Sequence, residues 1–483
     1  MLRFAKLGQG IALLVVYGRL FGIGLAMDAW VFASGAVAAA GMLVWGPVNE
    51  IARARYLKNV ADHGNMAAVI GANQLLRFTV AVTLVLILAM FALGPWVVGV
   101  LYSGDQANDS GIVLRLFTLM LPSLLLGQIL SLGTAYLNCL GVIYAPEWIG
   151  VGAGISSLCI VLLLAPSVGI YALAAGQYFS SALSMILVLG LLLRHRFLLG
   201  TRMPIAGRAV WDYLGFASPL YMSYAAGQAN GILEKSLASS IATGALSSIN
   251  YASQIKSTLQ AVISSVLFSL AVPRLTQAAS DVDDRLFLRT WRDVQRLVCI
   301  FLLLLLPPIL GAADLIAELL FNVAKSGGQQ PANVALLIRL YAVALLPVSL
   351  YLVHGAALLA RQNGRAYAAW GLISQIVSGL CCIVFVREFG TAIFPVALFF
   401  SHGIAAFAMA KSVGPSRKLW IEFSMIVLLV LTMSVVAWGG VIFIHQQLDS
   451  PLAVLAIFCA IYSILAGSVG LLLLSRKRAN ADA

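Results

Sequence analysis

In the run "NGILEKSLASS", Asn230 to Ser240, an acid and a base stand side by side inside an apolar segment: Glu234 and Lys235. Few other residues in the apolar parts of the chain carry chemistry. They include Arg19 and Asp28 around the turn Gly22-Ile23-Gly24, then Asn49 and Glu50, with Arg77, Arg115, Arg339, Gln375 and Glu422 in other spans. Gln228 and Asn230 stand just before the pair, and Asn250, Gln254 and Lys256 follow it. Cations and amides in such surroundings bind anions and hydroxyls. A charge in hydrocarbon is costly, and it faces a cavity or a partner. Neighbours on a helix point about 100° apart, so Glu234 and Lys235 do not pair with each other. Lys256 is a candidate partner or co-ligand. Two readings stay open, an interhelical ion pair or a lysine that meets an anionic ligand. For Arg19 and Asp28 they are a local salt bridge or a gate contact.

Bond-making chemistry has no such foothold. The six cysteines lack disulfide or metal spacing, the five histidines are scattered, and no Walker-type nucleotide loop occurs. No cofactor, metal or enzymatic activity is expected.

The elements that must position these residues are membrane helices. The chain has 483 residues, 61% hydrophobic and only 10% charged, where a soluble domain carries about 25% charged residues. Apolar runs long enough to cross a ~30 Å hydrocarbon core recur throughout. We read fourteen spans, near 5–23, 27–48, 72–101, 112–138, 146–166, 168–193, 213–241, 245–272, 295–312, 334–359, 366–386, 390–410, 420–444 and 452–474. No small-residue cleavage site follows the first, so it is expected to stay attached. Basic residues gather on one side of these spans, at Arg3/Lys6, Arg53/Arg55/Lys58, Arg194/Arg196/Arg202/Arg208, Arg274/Arg285/Arg289/Arg292/Arg296, Arg361/Arg365, Lys411/Arg417/Lys418 and Arg476/Lys477/Arg478. The other side has only Lys325 and Arg387. By the positive-inside rule both termini are cytoplasmic. The net charge of +12 therefore reports topology, and nucleic acid is not an expected partner. Arg285, Arg289, Arg292 and Arg296 share one helical face, suited to anionic headgroups or to gathering a phosphate-bearing substrate. Arg115 and Arg339 are expected to snorkel at span ends.

Two stretches repeat. "RLFTLMLPSLLLGQILSLGTAYLNCLGVIYAPEW" starts at Arg115 and "RLYAVALLPVSLYLVHGAALLARQNGRAYAAW" at Arg339, with matched residues 222 to 225 positions apart. A period near 220 residues is a six-helix bundle, repeated in the same orientation. The expected fold class is an all-α polytopic membrane protein of about 14 transmembrane helices. It comprises an N-lobe at 1–205, a C-lobe at 206–414, and a C-terminal helix pair with a tail at 415–483. The polar load falls in the first two spans of each lobe, where a cavity between lobes would be lined.

With these residues in view the chain resembles the MurJ/MviN family of lipid-linked oligosaccharide flippases, within the multidrug/oligosaccharidyl-lipid/polysaccharide exporter superfamily. The resemblance rests on "LFGIGLAMDAWVFA" (Leu20–Ala33), "LEKSLASSIATGALSSINYASQI" (Leu233–Ile255) and "ALLARQNGRAYAAW" (Ala357–Trp370). It implies translocation of an undecaprenyl-pyrophosphate-linked saccharide across the bacterial cytoplasmic membrane by alternating access. Lys235, Lys256 and Arg19 would meet the pyrophosphate; Gln228, Asn230, Gln254 and Asn49 would meet sugar hydroxyls. Asp28, Glu234 and Glu50 would serve gates or ion pairs. Membrane lipids and glycan-assembly enzymes are the other expected partners. The chain departs from the family pattern in its first helix, where only Lys6 and Arg19 are basic. It departs again at Ala40-Gly41-Met42, in place of a basic pair, and at Gln254, in place of an arginine. These changes point away from lipid II and toward an exopolysaccharide or O-antigen repeat unit. The alternatives are a cation-coupled multidrug antiporter of the same superfamily, or a non-transport scaffold or enzyme of glycan assembly.

Overall fold

The computed structural model describes residues 2–102, 107–142, 144–195, 197, 207–267, 272–280, 284–321, 329–414 and 417–446, with 453, 454, 457, 458 and 462 beyond them. Arg196, Arg202, Lys325, nearly all of span fourteen and the basic run at 476–478 lie outside the described residues. The described backbone is helical: α1 (Leu2–Phe21), α2 (Leu25–His63), α3 (Asn65–Leu101), α4 (Ala107–Met120), α5 (Ser123–Cys139), α6 (Tyr144–Val168), α7 (Tyr171–Arg194), α8 (Gly207–Ala217) and α9 (Tyr221–Ser239). There follow α10 (Ala245–Val266), α11 (Val272–Ser280), α12 (Asp284–Gly311), α13 (Ala313–Leu320), α14 (Gln329–Ala360), α15 (Gly364–Phe389), α16 (Ile393–Val413) and α17 (Arg417–His445). Helices thus lie over each of the first thirteen expected spans. Among the described residues, eight helical segments are long and apolar enough to cross a membrane, or nine if the bent pair α4–α5 counts as one. Helices α1, α9 and α10 fall short of that criterion, and α9 and α10 are those that carry the amides and lysines. The protein is an all-α polytopic membrane protein.

Two expected spans are broken. The run at 112–138 bends by 41° between α4 and α5 at Leu121-Pro122, where Leu124 N–H donates to the Leu121 carbonyl at 3.1 Å. The run at 213–241 is interrupted by a 3₁₀ turn over Ser218–Leu220, which contains Pro219. Proline removes an N–H and crowds the carbonyl four residues back, so both breaks have a local cause. Its repeat mate Pro347 sits inside an unbroken α14. There the surroundings hold the helix, since 67% of its most apolar stretch is buried.

The chain forms two compact units, dividing after Ser247. The lobe boundary expected from the repeated sequence lies at 205/206; contacts cluster otherwise because α8 and α9 pack on α2 and α3. In the first unit α2 is the hub, touching α3, α4, α5, α8 and α9. Its 39 residues reach about 58 Å, well past a ~30 Å hydrocarbon core. The excess carries Arg53, Arg55 and Lys58 on an extension whose core stacks Tyr56, Tyr136 and Phe197. Arg55 forks onto the carboxylate of Asp212 in α8 and lies 5.9 Å from the Phe216 ring centre. This two-pronged pair ties α8 to α2.

In the second unit α14 is the hub, packed by α11, α12, α13, α15 and α16. Burial of Trp291, Leu302, Leu345 and Val353 makes its core. Trp291 Nε1 donates to His354 Nδ1 at 3.1 Å, so that ring nitrogen is the acceptor. The two repeat-related arginines differ. Arg115 is exposed, as a snorkelling residue is, whereas Arg339 pairs with Asp314 and also donates to the Leu310 carbonyl. Tyr462, in expected span fourteen, donates to the Leu303 carbonyl at 2.6 Å.

Candidate functional site

Several polar residues of the first unit fall on one seam, where α9 runs antiparallel to α2. Asp28, Gly35 and Gly46 are spaced by seven and eleven residues, which returns them to within roughly 20° of one another on a helix. Each meets the α9 side of the seam at a different height.

At one end, the carboxylate of buried Asp28 accepts from Gly244 N–H at 2.5 Å and from Ser247 N–H at 2.6 Å. The first N–H groups of a helix have no partner within it, and a carboxylate there also answers the positive end of the helix dipole. Asp28 thus caps α10 from 216 residues away. Gly244 has φ +89, and a side chain there would meet Ile23, so the turn demands glycine twice over. A local salt bridge and a gate contact are the two readings for Arg19 and Asp28; the contacts seen at the Asp28 carboxylate are amide donors at the start of α10.

In the middle of the seam, the half-buried Lys235 lies across α2 at Gly35. Its ammonium donates to the Gly231 carbonyl, one turn back along α9, at 3.4 Å. It has no carboxylate partner among the described residues, and neither is it paired with Glu234. Lower on the seam the Tyr224 ring lies over Gly46, and its hydroxyl donates to Glu50 at 2.6 Å. Tyr221 donates to the Val44 carbonyl at 3.0 Å. Asn49, expected to meet sugar hydroxyls, exchanges two hydrogen bonds of 3.1 Å with Gln128 of α5. Each amide keeps one N–H beyond that clasp. Gln228 and Asn230 are half-buried on α9, and Arg19 is exposed at the end of α1.

Gln254 and Lys256 belong to the second unit. Gln254 is exposed, and the Lys256 ammonium stands 6.0 Å from the Tyr341 ring centre, in cation–π range. Nearby on α16, His402 Nδ1 contacts the Leu398 carbonyl at 3.2 Å, Ser401 Oγ at 3.2 Å and Ser374 Oγ at 3.4 Å. A carbonyl can only accept, so Nδ1 carries the hydrogen and Nε2 is the bare nitrogen. The Tyr351 ring meets this imidazole edge-on at 5.1 Å. Sequence reading passed over His402, Tyr224, Asp212 and both seam glycines. Only the eleven-residue glycine spacing was visible beforehand, and nothing in it named a partner. Among the described residues no cluster of three or more His, Cys, Asp or Glu side chains could hold a metal ion.

The fold and the seam together define the class: a polytopic helical membrane protein with polar groups set between its helices. Solved structures agree on the fold. A lipid II flippase MurJ in an inward closed conformation superposes with a TM-score of 0.79 at 13% identity, covering 98% of each chain. An inward-facing multidrug resistance MATE family transporter of the MOP superfamily gives 0.71 at 13% identity, over 88% of this chain and 95% of that one. A MOP superfamily transporter from Pyrococcus furiosus, described as having a binding pocket of reverse polarity, gives 0.56 at 14% identity over 88% and 95%. No curated protein matches by sequence. The family pattern described as lipid II flippase MurJ matches residues 54–458. The chain belongs to the MurJ family.

Proposed function

We propose that this protein translocates an undecaprenyl-pyrophosphate-linked saccharide across the bacterial cytoplasmic membrane by alternating access, with an exopolysaccharide or O-antigen repeat unit preferred over lipid II. A pyrophosphate stripped of water in hydrocarbon costs several kcal/mol or more per charge. Fixed cations and amide donors replace that hydration while the polyprenyl tail stays in lipid. The observation that carries this reading is Lys235, a half-buried cation whose charge no carboxylate balances among the described residues. Lys256 supplies a second cation, and Gln228, Asn230 and Gln254 the donors for sugar hydroxyls. Family membership supports a lipid-linked cargo. The thinner cationic set, with Ala40-Gly41-Met42 and Gln254, supports a cargo other than lipid II. A drug antiporter would need an open buried acid for a cationic cargo, yet Asp28 holds backbone amides, Glu50 holds Tyr224 and the half-buried Glu234 is also engaged.

The test is rescue of cells depleted of an essential lipid II flippase. Expression at normal levels should not restore growth. Native mass spectrometry of the purified protein should show a co-purifying polyprenyl pyrophosphate with a saccharide that is not the peptidoglycan unit. Full rescue would overturn the substrate.

Both termini are placed on the cytoplasmic side in this reading, and the Gly22–Gly24 turn on the other. On a cysteine-free background in intact cells, a membrane-impermeant thiol reagent should label Ile23→Cys and spare Asn480→Cys. Labelling of position 480 from outside would reverse the topology.

A further inference from the structure

The seam between α2 and α9 has a gap, and the gap is filled by the one side chain that the proposed function most needs. A methyl group built on Gly35 would overlap Cε of Lys235, and would stand 2.9 Å from its Cδ and 3.2 Å from its Nζ. The lysine stem therefore lies in the space that any side chain at position 35 would occupy. We propose that Gly35 is a positioning residue of the anion site: by lacking a side chain it seats the Lys235 stem against α2, and so places the ammonium for a pyrophosphate-class ligand. This rests on the reading of Lys235 as a ligand cation.

A free lysine samples many rotamers, and a ligand that orders it bears that cost on binding. With Cδ and Cε held against the α2 backbone, most of that freedom is already lost. The ammonium then has one donor on the Gly231 carbonyl at 3.4 Å and two N–H groups left for phosphate oxygens. Charge that is fixed before the ligand arrives binds it better than charge that must be gathered. Gly46 offers a contrast on the same face. Its gap is filled by the stiff Tyr224 ring, so a side chain there would push the helices apart. At Gly35 the obstructed atoms are the far end of a flexible chain. The cheap response to Gly35→Ala is that Lys235 moves and the helices stay.

The experiment compares full-length wild type, Gly35→Ala, Lys235→Ala and the double variant, each in lipid nanodiscs. Three quantities are read: thermal unfolding, affinity for inorganic pyrophosphate, and the rate at which trinitrobenzenesulfonate modifies Lys235, followed by peptide mass spectrometry. Gly35→Ala should change the Lys235 modification rate several-fold with little change in unfolding temperature. It should also weaken pyrophosphate binding by roughly tenfold, about 1.4 kcal/mol. In the Lys235→Ala background it should weaken binding no further, because there is no stem left to displace. An unchanged modification rate, or an equal loss of affinity in both backgrounds, would overturn the seat. If Gly35→Ala fails to accumulate alone, recovery in the double variant supports the seat and failure in both sinks it. Pyrophosphate affinity unaltered in Lys235→Ala would instead refute the ligand reading, and the modification rates would still report the seat.

Discussion

Lys235→Ala should abolish transport while leaving membrane abundance and unfolding temperature close to wild type. The lysine has no carboxylate partner among the described residues, so its removal strands no buried acid of its own making. What disappears is the cation that offsets a pyrophosphate, and a lost charged contact of this kind costs about 1.5–3 kcal/mol, or roughly ten- to a hundredfold. Lys235→Arg should be partly tolerated, since the charge survives but a planar fork does not fit where a slim stem lay. The rival account makes Glu234 and Lys235 parts of structural ion pairs. On that account Glu234→Gln with Lys235→Gln should fold better than either single change, because no lone charge remains, and should still transport. A well-folded but inactive double variant supports the ligand role. Recovered transport in it would end that role.

Loss of the Asp28 carboxylate should loosen the start of α10. Asp28→Ala leaves the Gly244 and Ser247 N–H groups without their acceptor in a buried place. Each unmet donor costs about 1–3 kcal/mol, so destabilisation of roughly 3 kcal/mol is expected for the pair. Asp28→Asn should fall between, since one amide oxygen can still accept while the amide nitrogen opposes the other N–H. A cysteine placed at the exposed Thr243 reports the opening through its labelling rate. That rate should rise at least several-fold in Asp28→Ala, and the unfolding temperature should drop. Equal rates and equal unfolding in wild type and Asp28→Ala would show that the carboxylate does not hold this turn.

How far these sites were legible beforehand differs residue by residue. Glu234 and Lys235 stood out because any charge in an apolar run stands out, and their failure to pair follows from helix geometry alone. Asp28 was visible as a costly buried acid, and a salt bridge to Arg19 or a gate contact was left open for it. Its actual partners are backbone amides, which every residue but proline carries and which no sequence pattern can mark. The clasp of Asn49 was hidden for a similar reason: an amide that looks free in the chain can close on another amide, and Gln128 stands 79 residues away. The breaks at Pro122 and Pro219 were readable as prolines, yet Pro347 shows that the same residue need not break a well-packed helix.

The sequence by itself determined the class: an apolar chain cannot leave backbone polar groups open in lipid, so runs of this length must be helices. It also determined which residues are expensive where they stand. Only the tertiary structure decided what each of them touches. Lys235 lies on α2 because position 35 has no side chain, and Asp28 caps a helix that starts more than two hundred residues later. A missing methyl group and a backbone N–H have no signature of their own along the chain. They acquire meaning only when packing brings a partner within a few ångströms.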